Sequence, residues 1–227
     1  MKFLLVNDDG IHSERFKFTE KILKKKGEVI VFAPMFEQSG KGMAISTQEI
    51  TFEKIDKDHY AVDGTPVDCI NLALQGFNIS PDIVISGINK GFNLGFDIFY
   101  SGTVGACFQA NYLGYHAIAF SGSYRGDETI FNQFERTLDF ILSKKLHSQQ
   151  KILNVNFPED GLNESPDIIE TVPFYQATRL NGEIKNNAFK FKRLFIDSVL
   201  PKDSDIYNVK LGNISYNYLD SRVKKPD

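Results

Sequence analysis

The chain has 227 residues, 42% of them hydrophobic, and a net charge of −3, which suits one large domain or a core domain with an appendage. No long basic stretch appears beyond Lys24-Lys25-Lys26, at the end of a predicted helix where cations are favoured, so extended nucleic-acid binding is excluded. The opening Met1-Lys2-Phe3 lacks a signal-peptide pattern and no apolar stretch approaches the roughly 18 residues of a membrane span, so a cytoplasmic location is expected.

The apolar run Phe3-Leu4-Leu5-Val6 predicts a strand over Lys2 to Val6, buried on both faces. A helix follows from Ser13 to Lys26, with Ser13 as N-cap, Phe16, Ile22 and Leu23 on one side and Gly27 as stop signal. Strand Glu28 to Phe32 completes a βαβ unit. After Pro34 comes the loop Glu37-Gln38-Ser39-Gly40-Lys41-Gly42, then Glu49 to Ile55 and His59 to Val62, which resemble a hairpin. Helix Pro66 to Phe77 and strand Asp82 to Ile85 lead into a long loop that ends at helix Ser101 to Leu113. Strand Ala117 to Phe120 and helix Glu128 to Leu142 close the unit. Beyond Gln150 only Ile152 to Val155 reads as a buried strand. The rest is Asn-rich with short alternating pieces such as Phe189-Lys190-Phe191-Lys192, a β-rich appendage, and the basic tail Arg222-Val223-Lys224-Lys225 reads as a disordered end. Cys69 and Cys107 fall among apolar residues of predicted helices and read as reduced packing residues.

Asp8 and Asp9 stand where the first buried strand ends, with Asn7 before them and Gly10 after. Asn-Asp-Asp-Gly is ordinary turn chemistry, and it is equally a divalent-metal site. The two readings differ in cost, because adjacent carboxylates repel and one should stay protonated unless a cation or donors compensate. A hard, oxygen-seeking ion such as Mg²⁺ removes that penalty.

The loop Ser86-Gly87-Ile88-Asn89-Lys90-Gly91-Phe92-Asn93-Leu94-Gly95 carries glycines at every fourth position and runs on to Ser101, at the start of a helix that offers N–H groups and a positive dipole to a phosphate. If strands Lys2 to Val6 and Asp82 to Ile85 are parallel in one sheet, their carboxyl ends bring Asp8, Asp9 and Asn89 to one edge, where the Ser39 loop also arrives. That would be an all-oxygen, hard-cation site beside a phosphate cradle, which points to phosphoryl chemistry. His12 is a candidate proton donor, Lys41 and Lys90 candidate phosphate contacts, although loop or solvated positions account for all three. His59, His116 and His147 have no neighbours that suggest a site.

Five motifs, Leu4-Leu5-Val6-Asn7-Asp8-Asp9-Gly10, Gln38-Ser39-Gly40, Gly64-Thr65-Pro66-Val67-Asp68-Cys69, Ser86-Gly87-Ile88-Asn89 and Tyr100-Ser101-Gly102-Thr103-Val104, closely resemble the SurE family in matching order through about residue 120. The resemblance implies a Rossmann-like three-layer α/β/α core with a mostly parallel sheet over residues 1–150, and over 151–227 a final core strand and a β-rich oligomerisation arm. It also implies one divalent cation, Mg²⁺ or Mn²⁺, held by Asp8, Asp9, Ser39 and Asn89, and hydrolysis of nucleoside 5′- and 3′-monophosphates. Asn93, Ser101, Gly102 and Thr103 match the family's phosphate-side wall, and a homodimer or homotetramer through an exchanged C-terminal arm is implied. The chain departs from the family at Gly42, where a small hydroxyl residue is usual, and at Ser215-Tyr216-Asn217-Tyr218-Leu219. The rival classes are a receiver-like phosphoacceptor module, which also pairs acids after its first strand, and a nucleotide-binding regulator without turnover.

Overall fold

Phe3 and Leu5 enter one hydrophobic core while Leu4 and Val6 enter a second, so strand β1 (Lys2–Val6) is buried on both faces, as its unbroken apolar run predicts. The computed structural model describes residues 1–149, 151–175, 178–195 and 199–220, with the side chains of 178–180 and 191–195 outside the description. The Arg222–Lys225 tail therefore lies outside the described residues.

Helix α1 (Glu14–Lys24) leads to β2 (Glu28–Pro34), and β3 (Phe52–Lys54) and β4 (His59–Val62) form the expected hairpin. Ser13 occupies the N-cap position of α1 without making a side-chain capping bond. Helix α2 (Pro66–Asn71) is capped more fully: Thr65 and Asp68 each accept from the other's backbone N–H, with Pro66 at the first turn, a complete capping box. The helix expected through Phe77 changes at Leu72 to a π-helical turn that ends at Gly76.

Strand β5 (Ile83–Lys90) runs five residues past its predicted end, because the pairing with β6 (Ala117–Gly122) shifts between Ser86 and Asn89 and then resumes. Such a bulge re-aims side chains near a sheet's rim. A 3₁₀ turn over Gly95–Tyr100 precedes α3 (Gly102–Tyr112), and α4 (Glu128–Ser143) precedes β7 (Ile152–Phe157). The last third supplies β8 (Ile168–Glu170), β9 (Thr178–Lys185), β10 (Ala188–Phe195), α5 (Asp205–Lys210) and β11 (Ile214–Leu219).

Among the described residues the main sheet has nine strands in the order β3-β4-β2-β1-β5-β6-β7-β11-β8. Strands β4, β2, β1, β5, β6 and β7 run parallel, while β3 and β11 are antiparallel to their inner neighbours. Phe16, Ile22 and Leu23 of α1 share one core with Ile130, Phe134 and Leu138 of α4. Cys69 and Ile70 of α2 share the other with Val104, Cys107 and Ala110 of α3. These are the three layers of an α/β/α fold. Both cysteines are buried and free, and burial pushes their thiols up.

The C-terminal third carries the expected β-rich appendage as a small antiparallel sheet, and it also adds strands to the main one. β11 pairs with β7 and β8 inside the main sheet, and only β9 and β10 stand apart, as a two-stranded sheet. Asn154, Asn156, Ser215 and Asn217 are polar yet buried in those strands, so the local pattern understates how much of this segment is core.

Candidate active site

β1 and β5 are adjacent and parallel, with Val6 opposite Ser86, so the acid pair and Asn89 leave the sheet at the same edge. The loop after β2 is tied to them by backbone: Gln38 N–H donates to Asp8 O at 2.7 Å and Ile11 N–H to Pro34 O at 3.0 Å. Asp8, Ser39 and Asn89 thereby line one cavity of about 450 Å³, together with Gly40, Phe92, Asn93, Asp97, Tyr100, Ser101 and Tyr124. Among the described residues no lysine or arginine lines it.

Asp8 is 2% exposed. Its Oδ1 accepts from Thr103 Oγ1 at 2.5 Å, and a Cβ on Gly102 would stand 3.0 Å from the Asp8 Cβ, so a glycine there admits the carboxylate to the start of α3. Gly102 and Thr103 thus grip Asp8 and do not line the cavity, whereas Ser101 and Asn93 do. Ser101 Oγ accepts from Val104 N–H at 3.1 Å and caps α3, leaving its hydroxyl hydrogen to donate.

Asp9 is half-buried, and its Oδ2 accepts from Lys90 N–H at 3.1 Å. Burial and then the neighbouring Asp8 charge push Asp9 up to about 6. Burial also raises Asp8, with the Thr103 bonds opposing. Asn89 donates from Nδ2 to Gly91 O at 2.9 Å, which leaves its Oδ1 as the remaining acceptor. Ser39 is exposed and donates to Glu37 Oε1 at 2.8 Å. Among the described residues no three His, Cys, Asp or Glu side chains cluster to hold a metal, so a cation here would rest on two carboxylates and neutral oxygens.

The other candidates separate from the site. His12, Lys41 and Lys90 are exposed and outside the cavity lining. Gly42, where a small hydroxyl residue was expected, sits at φ +55° and its N–H donates to Tyr100 O at 3.0 Å.

Several positioning residues gave no sequence signal. Arg15, 3% exposed, sends Nη1 to Asn89 O at 2.8 Å and Nη2 to Ser123 O and Gly126 O at 2.5 and 3.0 Å. Asn93 is pinned from β7: its N–H donates to Asn156 Oδ1 at 2.9 Å, and its carbonyl accepts from Asn154 and Asn156 at 3.0 and 3.1 Å. Asp205 Oδ2 accepts from Gly95 N–H at 2.7 Å, so the C-terminal segment holds the glycine-rich loop. Tyr124 and Asp97 also line the cavity unanticipated; Tyr124 follows β6 at the same sheet edge, which was its one available signal.

A family model described as "Survival protein SurE" matches residues 3–183. The chain belongs to the SurE family. The match runs well past residue 120, where the motif resemblance thinned. A 5′-nucleotidase SurE of Legionella pneumophila strain Philadelphia 1 is 43% identical over 168 residues, 72% of this chain and 66% of that relative, so the chain spans about two thirds of its length. A 5′-nucleotidase SurE of Geobacter metallireducens is 38% identical over 232 residues, 95% of this chain and 89% of its own. The crystal structure of the SurE protein from Aquifex aeolicus superposes with a TM-score of 0.81 at 31% identity, over 99% of this SurE chain and 95% of that one. The SurE fold agrees with the observed α/β/α layers. The end of β5, where a receiver would carry its acceptor aspartate, holds Ser86-Gly87-Ile88-Asn89 instead.

Proposed function

We propose that this SurE chain hydrolyses nucleoside 5′- and 3′-monophosphates to nucleoside and phosphate, using one divalent cation, Mg²⁺ or Mn²⁺. The observation that carries the reading is a cavity lined by Asp8, Ser39 and Asn89 beside Asn93 and Ser101, without a lysine or arginine among the described lining residues. An anionic substrate entering such a site needs positive charge from elsewhere. The names of the relatives, 5′-nucleotidase SurE, support the substrate class.

The donor set fits a hard cation. Two carboxylates held together, with Asp9 pushed up to about 6 by burial and by Asp8, form a pair that a cation relieves, and the remaining donors are oxygens. Asp8, Asp9, Ser39 and Asn89 would hold the ion, which supplies Lewis acidity to the phosphoryl group and acidifies water in its shell.

The chain's own groups do the rest. Thr103 fixes the Asp8 carboxylate, and the bond to Gly91 O occupies Asn89 Nδ2 and leaves Oδ1 as the acceptor that a cation would take. Asn93 Nδ2 gives one hydrogen to Ser121 Oγ at 2.7 Å; its second and Ser101 Oγ–H donate to phosphoryl oxygens, and the α3 dipole favours charge there. Asp9 stands next to Asp8 but outside the cavity lining, with Oδ2 on Lys90 N–H; its Oδ1 takes the proton of the attacking water and returns it to the departing nucleoside oxygen.

Phosphate release from AMP and GMP, measured with Mg²⁺, with Mn²⁺ and with EDTA, tests the reading. Asp8→Asn is expected to abolish turnover by a factor of at least about 10³ while its thermal melt stays cooperative. Turnover that survives EDTA, or a fully active Asp8→Asn, would remove the assignment.

A further inference from the structure

Tyr124 is 70% exposed but sits on a firmly anchored loop. The buried Arg15 guanidinium binds Ser123 O and Gly126 O, the carbonyls on either side of it, and Asp127 Oδ1 at 2.6 Å. Inside that bracket Arg125 N–H donates to Ser123 Oγ at 2.9 Å. The Tyr124 ring lies directly on Gly91, where an added Cβ would come within 2.7 Å of ring carbons. An aromatic ring fixed on one side and open on the other loses little conformational freedom when a flat ligand covers it.

The ring lines the same cavity as Asp8 and Asn89. Tyr100, 52% exposed at the end of the 3₁₀ turn, and Asp97 from the same turn line the cavity with it. At about 450 Å³ the cavity is far larger than a phosphate requires and matches small-molecule sites of roughly 300–1,000 Å³.

We infer that Tyr124 and Tyr100 form the nucleoside subsite of this cavity, stacking on the base, while Asp97 accepts hydrogen bonds from the sugar hydroxyls. The inference rests on the nucleotidase reading and extends it from the phosphate to the sugar and base. Every base has a π-face, so stacking selects nucleotides over simple phosphate esters while ranking the bases only weakly. A carboxylate takes paired hydroxyl donors well.

The test compares kcat/KM for AMP with that for ribose 5-phosphate in the wild type, Tyr124→Ala and Tyr124→Phe, and follows adenosine binding by titration calorimetry. Tyr124→Ala is expected to lower the preference for AMP about tenfold, through KM, and to weaken adenosine binding by a similar factor. Tyr124→Phe keeps both. An unmoved preference, or equal loss on both esters, overturns the subsite. Should the wild type release no phosphate from AMP while adenosine binding still drops in Tyr124→Ala, the catalytic reading fails and the subsite stands. Turnover of AMP with adenosine binding unmoved by the substitution sinks the subsite alone.

Discussion

At the scale of the residue, the site depends on how one carboxylate is held. Thr103 is fully buried, and its hydroxyl reaches Asp8 at 2.5 Å. Hydrogen bonds to a charged group contribute about 1.5–3 kcal/mol, and partners that orient a metal ligand change metal affinity by about 10- to 100-fold. Thr103→Val conserves shape and deletes the donor. Its Mn²⁺ dissociation constant, measured by titration calorimetry without substrate, is expected to rise at least about tenfold. The wild type should also gain several degrees in Tm at saturating Mn²⁺, since a ligand at about 100 times its Kd stabilises by roughly 2.7 kcal/mol. Mn²⁺ affinity unchanged by Thr103→Val would show that the hydroxyl serves packing alone.

At the scale of the element, the capping box on α2 joins the helix to the loop after β2. Asp68 accepts from Thr65 N–H at 2.9 Å and from Ser46 N–H and Oγ at 3.0 and 2.7 Å. Burial pushes this carboxyl up, but the Ser46 and Thr65 bonds outweigh it, and its pKa ends below the ordinary value. A carboxyl whose folded pKa is depressed contributes stability above its unfolded pKa near 4 and loses that contribution as pH falls through the folded value. Asp68→Asn should therefore cost about 1–2 kcal/mol near pH 7 and much less once the acid is protonated. Urea denaturation at pH 7 and at pH 3 measures this, and equal losses at the two pH values would refute the linkage.

The same scale shows what local pattern can carry. β1, β2 and α1 arise from apolar runs, a 3.6-residue stripe and a glycine stop, all local. The shared sheet edge of the acid pair and Asn89 was legible because β1 and β5 could be inferred to be parallel neighbours, although Asn89 lies inside β5, past its bulge. β11 escaped because Ser215 and Asn217 interrupt its apolar pattern within an Asn-rich segment, yet Asn217 takes a bond from Asn154 and Ser215 meets Thr171. Arg15 escaped for the same reason, since its partners lie 74 to 112 residues away. A buried polar group is tolerated only through partners, and distant partners leave no local trace. The turn of the β9–β10 hairpin went unread although its signal is local: Asn186 and Asn187 take φ of 51° and 59°, as a type I′ turn requires.

For the whole molecule, that hairpin poses the assembly question. β9 and β10 pair with each other from Lys185–Ala188 to Thr178–Phe195 and, among the described residues, form a sheet separate from the nine-stranded one. A lone two-stranded hairpin is marginal in water, and its outer edges present unpaired backbone groups to another chain. Ile184, 81% exposed, adds apolar surface. Pairing or packing against a second copy would satisfy both, in keeping with the exchanged arm that the family resemblance implies. The pairing of β7, β11 and β8 does not pass through the hairpin, so the main sheet should survive its loss. The wild type is therefore expected to show the mass of a dimer or tetramer in light scattering, and replacing Thr178–Phe195 by a short Gly-Ser linker to yield a monomer with a cooperative melt retained. A variant that keeps the wild-type oligomeric mass would move the interface elsewhere, and one that loses its melt would make the hairpin part of the folding unit.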